Sequence, residues 1–117
     1  MNVVELLKWQ WAGYPRYHTN RTNLLLHIVV VPAFEIGAVV VVAAAFELSF
    51  SLLIVGFACM LVSMIAQGRG HKLEAAPPEP FTGPGNFIGR LLLEQWINFP
   101  RFVLSGKWLE NLHHAKD

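Results

Sequence analysis

The most apolar part of the sequence is residues 24–66, LLLHIVVVPAFEIGAVVVVAAAFELSFSLLIVGFACMLVSMIA. Among these 43 residues only Glu35 and Glu47 carry a formal charge. A helix rises about 1.5 Å per residue and about 20 apolar residues cross the hydrocarbon core of a bilayer, so two spans fit, at residues 24–46 and 48–66. Glu47 and the serines that follow it lie where a tight hairpin would turn. The pattern predicts an all-α membrane protein built on a transmembrane helical hairpin.

The composition limits the class of protein. With 117 residues the chain has the size of one ordinary domain, so we predict a single membrane domain over residues 1–117. Hydrophobic residues make up 54% and charged residues 15%, which excludes a disordered chain. A soluble protein of this length lacks the mass to cover two such helices. The net charge of +1 argues against a nucleic-acid partner, and the lone Cys59 excludes an intramolecular disulfide or a multi-cysteine metal site.

Basic residues flank the hairpin on both outer sides. They are Lys8, Arg16 and Arg21 before the first span, and Arg69 and Lys72 after the second. By the positive-inside rule both termini are expected in the cytoplasm, in the inner membrane of a bacterium or the endoplasmic reticulum of a eukaryote. Residues 1–23 lack the short apolar core and cleavage site of a secretory signal, so we expect the first span to be an uncleaved anchor.

Three segments outside the hairpin complete the predicted fold. Residues 3–11 combine leucines and tryptophans with polar residues, which favours an N-terminal helix in the membrane interface over a frayed terminus. Residues 75–85, AAPPEPFTGPG, contain four prolines and two glycines that exclude a continuing helix. A third apolar helix, amphipathic or re-entrant, is predicted at residues 86–105 with a kink at Pro100. Residues 107–117 are predicted to be a polar tail.

The third apolar helix carries its polar residues on one stripe. They fall at spacings of 4, 4, 3 and 4: Arg90, Glu94, Asn98, Arg101 and Ser105. Such spacing puts all of them on one helix face. The helix is therefore expected either to lie in the interface or to pack against the hairpin with this stripe facing a polar interior.

A first polar group, YHTNRTNLLLH at residues 17–27, precedes the hairpin. Asn20, Asn23 and His27 are spaced for one face of a helix that begins at Thr19 or Asn20. Nine residues turn a helix by about 900°, so His18 and His27 do not share a face. They can approach one centre only if His18 curls back from the helix start.

A second polar group, QGRGHKLE at residues 67–74, follows the hairpin. As a helical continuation it would put Gln67, His71 and Glu74 on one face, although the two glycines weaken a helix there. The spacing of His71 and Glu74 is that of the Glu-x-x-His pairs of di-iron carboxylate sites, in reverse order.

The hairpin topology places both polar groups at the same side of the membrane. Three imidazoles and one carboxylate, from His18, His27, His71 and Glu74, can converge there. Imidazole and carboxylate suit iron, zinc or manganese. The alternative for each histidine is an interfacial or capping role, and a histidine–asparagine hydrogen bond between helices needs no metal. The remaining two, His113 and His114, are expected to be solvated in the polar tail.

The runs YPRYHTNRTNLLLHIVVVP and QGRGHKLEAAPPEPF resemble the two signatures of a family of small membrane proteins. The second signature of that family is a G-H-x-x-E-x-x-x-P run. Its fungal members are iron(II)-dependent dioxygenases of 2-hydroxy fatty acids in α-oxidation, and they are longer between the signatures. The resemblance covers roughly residues 11–105, including the late proline of the third helix.

The resemblance implies an oxidative decarboxylation. An iron(II)-dependent enzyme of the bilayer would convert a 2-hydroxy fatty acid and dioxygen into a fatty acid one carbon shorter and carbon dioxide. The open alternatives are a non-catalytic membrane protein, such as an accessory or assembly factor, and another histidine–metal lipid enzyme. A homo-oligomer also stays open.

The resemblance also implies roles for individual residues. The iron ligands it implies are His18, His27 and His71, with Glu74 as a further ligand or as the partner that orients His71. Around these ligands it implies supporting hydrogen bonds from Asn20, Asn23 and Gln67. Candidates to meet the substrate carboxylate are Arg21, Arg69 and Lys72, which could instead reach lipid phosphates.

Overall fold

The computed structural model describes residues 1–115, so the last two residues of the predicted tail, Lys116 and Asp117, lie outside the described residues. The helices are α1 (Val3–Gly13), α2 (Arg21–Glu47), α3 (Phe50–His71), α4 (Pro84–Leu93), α5 (Phe99–Leu104) and α6 (Lys107–His114). A 3-10 turn (Tyr14–Tyr17) follows α1, and a π-helical segment (Glu94–Asn98) joins α4 to α5. Residues 1–115 contain no strand, which confirms the predicted all-α fold.

The hairpin consists of α2 and α3, and both are long and apolar enough to cross a membrane. Only 22% and 17% of their most apolar windows are buried inside the protein, unlike the core helices of a soluble domain. Both helices extend beyond the predicted spans of residues 24–46 and 48–66, so each includes part of a polar group. The ends that carry these groups, the start of α2 and the end of α3, are called the open end of the hairpin.

The closed end of the hairpin turns within two residues. Leu48 takes a left-handed conformation with φ of 52°, and the Ser49 backbone N–H donates to the carbonyl of Ala44 at 3.0 Å. The Ser49 side chain then caps α3 by accepting a hydrogen bond from the backbone N–H of Leu52 at 3.3 Å. This short turn makes α2 and α3 antiparallel neighbours along their length.

Two glycines let the helices of the hairpin cross closely. A Cβ atom on Gly37 would lie 2.9 Å from the carbonyl oxygen of Gly56. A Cβ atom on Gly56 would lie 2.7 Å from the Val41 side chain and 2.8 Å from the Gly37 carbonyl oxygen. Small residues at such crossings let backbones approach where no hydrophobic effect drives helices together in lipid.

The other helices form a collar around the open end of the hairpin, defined here as α1, the 3-10 turn and α4 to α6. Gln10 of α1 donates to the Arg90 carbonyl oxygen at 2.9 Å and accepts from the Asn98 side chain at 2.7 Å. The buried side chains where the collar meets the hairpin come from three elements, the 3-10 turn, α2 and α5: Tyr14, Leu24, Val31, Phe99 and Phe102. These buried contacts of the collar lie in the first half of α2, toward the open end of the hairpin.

The C-terminal segment differs from the predicted polar tail of residues 107–117. Gly106, with φ of 84°, reverses the chain after α5, and α6 follows. The Trp108 indole donates to the Leu24 carbonyl oxygen at 3.0 Å, and Leu112 packs against the buried side chains. The signal for this helix in the sequence was the spacing of Trp108 and Leu112, four residues apart and so on one helix face.

The third apolar helix differs from the predicted kinked helix of residues 86–105. A π-helical turn precedes Pro100, and the Phe99 N–H donates to the Glu94 carbonyl oxygen, five residues back. Proline has no N–H to donate, so a helix needs a local adjustment where one occurs. Here the adjustment is a widened turn, of the kind frequently found at functional sites.

The crossing predicts opposite effects for two alanine substitutions in α3. Gly56→Ala should lower the free energy of unfolding by about 1–3 kcal/mol, because its methyl group would overpack the Val41 contact. Gly68→Ala is the matched control, because no neighbouring atom of residues 1–115 lies within 4 Å of its Cβ position. It should leave stability unchanged or raise it by up to about 1 kcal/mol, the helix preference of alanine. Denaturant unfolding in detergent, followed by circular dichroism, measures both; equal effects would contradict the close crossing.

Candidate metal centre

Four side chains converge at the open end of the hairpin: His18, His27, His71 and Glu94. Their nearest nitrogen and oxygen atoms all lie within 4.8 Å of one another. The Nε2 atoms of the three histidines lie 3.7, 4.0 and 4.0 Å from Oε1 of Glu94. These distances are too long for hydrogen bonds. They suit atoms that share an ion, since metal–nitrogen and metal–oxygen bonds are about 2.0–2.2 Å long.

Each member of this histidine–glutamate cluster comes from a different part of the fold. His18 caps the 3-10 turn, His27 lies two turns into α2, and His71 is the last residue of α3. Glu94 opens the π-helical segment. Because His18 precedes α2 rather than belonging to it, the turn brings it back toward His27, which their helical spacing alone would not allow.

Backbone carbonyls fix the orientation of two imidazoles. Nδ1 of His18 lies 2.8 Å from the Tyr14 carbonyl oxygen, and Nδ1 of His27 lies 3.0 Å from that of Asn23. A carbonyl oxygen only accepts, so each Nδ1 carries the proton and each Nε2 presents a lone pair to the cluster. Metal-ligating histidines characteristically donate their other ring N–H in this way.

The two Nε2 lone pairs have no partner among residues 1–115. The exposed fractions of His18 and His27 are 2% and 0%, and neither Nε2 atom makes a hydrogen bond. A buried polar atom without a partner costs free energy. A metal ion would give both atoms a partner, so the residues present fit a metal.

The three imidazole rings of the cluster are nearly perpendicular to one another. Their centroids are 4.8 to 5.1 Å apart and their planes differ by 79° to 89°. The three imidazoles therefore do not stack face to face, and their nitrogens meet around one centre.

The electrostatic surroundings of Glu94 keep it ionised. Burial raises the pKa of Glu94, but the facing imidazoles of His18, His27 and His71 outweigh burial and lower it to about 2. Glu94 is accordingly an ionised acceptor at neutral pH.

The sequence analysis did not include Glu94 among the candidate ligands. The π-helical turn directs the adjacent residues Glu94 and Gln95 inward, although neighbours in a regular helix point about 100° apart. Gln95 forms a reciprocal pair with Gln67, with N···O distances of 2.9 and 2.7 Å. The available signal in the sequence was the polar stripe of this helix, in which Glu94 is the one acidic residue.

Glu74 lies outside the cluster, contrary to its expected place there. The carboxylate accepts hydrogen bonds from the backbone and hydroxyl of Thr19 at 2.9 Å each, from the Asn20 N–H at 3.1 Å and from the Asn23 side chain at 2.6 Å. Nδ1 of His71 has no hydrogen-bond partner among the described residues, so Glu74 does not orient it. Glu74 instead fixes the start of α2, where a negative charge also favours the helix dipole.

Of the three residues expected to support the ligands, Asn23 hydrogen-bonds to one of them directly, through its backbone carbonyl oxygen. Asn20 caps α2 by accepting from the Asn23 N–H at 3.0 Å, and the Asn23 carbonyl oxygen accepts from His27. Gln67 donates to Ser63 at 2.9 Å, besides its pairing with Gln95. None of the three is in the cluster itself.

Tyr14, which the sequence analysis did not single out, contacts two members of the cluster. Its hydroxyl donates to Oε1 of Glu94 at 3.2 Å, and its ring stacks on His18 with centroids 4.0 Å apart. Burial, reinforced by the Glu94 carboxylate, raises the pKa of Tyr14 well above its ordinary value, so the hydroxyl stays protonated. Tyr14 thus contacts the imidazole of His18 through its ring and its carbonyl oxygen, and the carboxylate of Glu94 through its hydroxyl.

A cavity of about 400 Å³ opens beside the cluster, and His18, His71 and Glu94 form one end of it. The basic residues in its wall are Arg16 and Arg90. The expected carboxylate-binding residues are exposed and do not line it: Arg21, Arg69 and Lys72.

Comparison with known proteins identifies the family. A family model described as 2-hydroxy-palmitic acid dioxygenase Mpo1-like matches residues 4–95. The chain belongs to the Mpo1-like family. The match contains all four members of the cluster and ends just after Glu94, while α5 and α6 of this Mpo1-like protein lie beyond it. No curated protein matches the chain, and no solved structure does.

The two glutamates predict separable effects when each is changed to glutamine. Glu94→Gln removes a charge from the cluster and should weaken metal binding more than about 100-fold, beyond the usual effect of an outer residue. Glu74→Gln should mainly destabilise the protein, by about 1–3 kcal/mol, because an amide cannot accept all the hydrogen bonds that converge on this carboxylate. Cobalt(II) titration and thermal unfolding in detergent separate the two; the reverse order of effects would disprove these assignments.

Removing the hydroxyl of one or the other tyrosine of the 3-10 turn gives a second comparison of a variant with a matched control. Tyr14→Phe keeps the ring and the carbonyl but loses the hydrogen bond to Glu94, so metal affinity should fall about 10- to 100-fold. Tyr17→Phe loses a hydrogen bond to the exposed Glu79 and should bind metal as the unaltered protein does. The absorption spectrum of bound cobalt(II) should change only in Tyr14→Phe; identical spectra would show that the hydroxyl does not act on the site.

Proposed function

We propose that this Mpo1-like protein is an iron(II)-dependent dioxygenase of 2-hydroxy fatty acids. The observation that carries the proposal is the cluster of three imidazoles and one carboxylate, with two buried Nε2 lone pairs that lack a partner. Membership of a family described by a dioxygenase activity supports the same reading. The ligands we propose are His18, His27, His71 and Glu94.

The donor set favours a particular range of metals. Nitrogen and oxygen donors without thiolate suit iron, zinc or manganese, and the family's activity favours iron among them. Iron(II), when bound, would supply a redox-active ion that activates dioxygen and that the carboxylate and hydroxyl of a 2-hydroxy acid can chelate. The protein would contribute the burial, the fixed imidazole orientation and the anionic charge that such an ion needs.

The proposed reaction balances without a further reductant. A 2-hydroxy acid, R–CH(OH)–COOH, and dioxygen give R–COOH, carbon dioxide and water. The bond between C1 and C2 breaks, and the two carbons together lose four electrons. Dioxygen gains the same four electrons, with one oxygen atom entering the new carboxyl group and the other leaving as water. The small, single-domain chain therefore needs no partner that delivers electrons.

The position of the cluster suits an amphiphilic substrate. It lies at the open end of two helices that are long enough to cross a membrane, so the cluster would be near one membrane surface. A fatty acid in a bilayer places its carboxyl group near the surface and its tail inward. Both termini would share that side, which the distribution of basic residues assigns to the cytoplasm.

The activity test uses the whole protein loaded with iron(II) without oxygen. Addition of 2-hydroxyhexadecanoic acid and dioxygen should yield pentadecanoic acid and carbon dioxide, with one dioxygen consumed per product. Hexadecanoic acid, which lacks the hydroxyl group, should yield neither. Iron retained without any product would favour the accessory-protein alternative, and a hydrolytic product would favour another metal enzyme.

Histidine variants test the proposed ligands in the same assay. His27→Ala and His71→Ala should each abolish iron retention and turnover, because each removes one of four donors. His113→Ala and His114→Ala are the controls, because both residues are exposed on α6, and they should keep full activity. Normal iron content in the first pair, or its loss in the second, would refute the proposed ligand set.

A further inference from the structure

The walls of the cavity beside the cluster come from the collar, from the proline-rich loop (residues 75–83, before α4) and from the end of α3. They are formed by α1, the 3-10 turn, the proline-rich loop and α4, and they meet His71 at the open end of the hairpin. The lipid-facing lengths of α2 and α3 do not contribute to it. The cavity, of about 400 Å³, is within the range of pockets that hold small molecules.

Aromatic and aliphatic side chains line the same cavity as the cluster. They are Trp9, Pro78, Phe81, Phe87 and Leu91. The rings of Phe81 and Phe87 meet edge to face, with centroids 4.9 Å apart. The cavity thus offers one ligand both members of the cluster and apolar side chains, as a long-chain acid has a polar head and an apolar tail.

Arg90, a charged residue of the cavity wall, is held in place by contacts within the protein. Arg90 donates to the carbonyl oxygens of Glu79 at 2.9 Å and Pro80 at 3.1 Å. The faces of its guanidinium lie over the rings of Phe81, at 4.2 Å, and Trp9, at 5.1 Å. Arg90 therefore fastens the proline-rich loop over the cavity, and the cavity is built before any ligand enters.

A second hollow exists on the hairpin but does not reach the cluster. It is lined by Ala38, Val39, Val42, Ala43 and Trp96. No member of the histidine–glutamate cluster lines it. Of these two spaces, the first is the one that members of the cluster line, so it is the one that a molecule with its polar head at the cluster would enter.

We infer that the aliphatic tail of the substrate lies in the cavity under the proline-rich loop and not along the hairpin. This inference rests on the proposed function for the position of the polar head. Leu91 and Phe87, on α4, then set the length of tail that the protein accepts, whereas the exposed faces of α2 and α3 contact only membrane lipid.

Photolabelling locates the tail directly. The probe is 2-hydroxyhexadecanoic acid with a diazirine at the end of its chain, applied to the whole protein in bilayer nanodiscs. Labels that excess 2-hydroxyhexadecanoic acid prevents should fall on Phe81, Phe87 and Leu91. Prevented labels on the lipid-facing residues of α2 and α3 would overturn the inference, as would cavity labels that only added phospholipid prevents.

A pair of leucine variants tests the selection of chain length. Leu91→Trp fills the cavity, so kcat/KM for the 16-carbon acid should fall at least about 10-fold relative to an 8-carbon acid. Leu92→Trp is the matched control, because Leu92 is the next residue of α4 and is exposed, and it should leave that ratio unchanged. Cobalt(II) affinity should stay the same in both. An unchanged ratio in Leu91→Trp would count against the cavity.

The labelling result and the activity result together distinguish a failure of this inference from a failure of the proposed function. Turnover in the unaltered protein with labels outside the cavity leaves the proposed function standing and removes this inference. Cavity labels without turnover or iron retention leave the fatty-acid site standing and remove the proposed function.

Discussion

The carboxylate of Glu74 joins the two polar ends of the hairpin, and the position of each histidine depends on that junction. Glu74 follows α3 and accepts hydrogen bonds from the residues that begin α2, at 2.6 to 3.1 Å. It thereby holds the segment after His18 against the segment after His71. Gly70 makes the approach feasible, since a Cβ atom there would lie 2.2 Å from Oδ1 of Asn23. A charge-assisted junction of this kind is stronger than neutral hydrogen bonds.

Hydropathy was sufficient to predict the hairpin, because two apolar runs of bilayer length, with Glu35 the one charged residue inside them, have few other stable arrangements. The common location of His18, His27 and His71 followed from topology alone, since a hairpin returns its second helix to the side where the first began. The positions of Glu74 and Glu94 did not follow from this topology. The spacing of His71 and Glu74 was read as helical, but α3 ends at His71, so the chain turns before Glu74 and directs its carboxylate toward Thr19.

Glu94 and Tyr14 show what sequence spacing could not reveal. The π-helical turn depends on how Pro100 and the buried side-chain amides near it pack in three dimensions. The turn in turn decides which residues of α4 and of the segment after it face inward. Tyr14 contacts the cluster through stacking and a hydrogen bond across 80 residues of chain. Both contributions arise from the collar, whose helices are short and whose packing on the hairpin no single periodicity describes.

The placement of Glu94 on the third apolar segment also bears on biogenesis. Chains are made from the N-terminus and their early parts begin to fold during synthesis. The three histidines and both membrane helices therefore leave the ribosome before Glu94 does, and α6, whose Asn111 donates to the His18 carbonyl oxygen at 2.9 Å, leaves last. At that stage the cluster has only its three imidazoles, although the Glu74 carboxylate is already present at the open end. Glu94, and with it the complete cluster, follows only when the remainder of the chain folds back onto the hairpin.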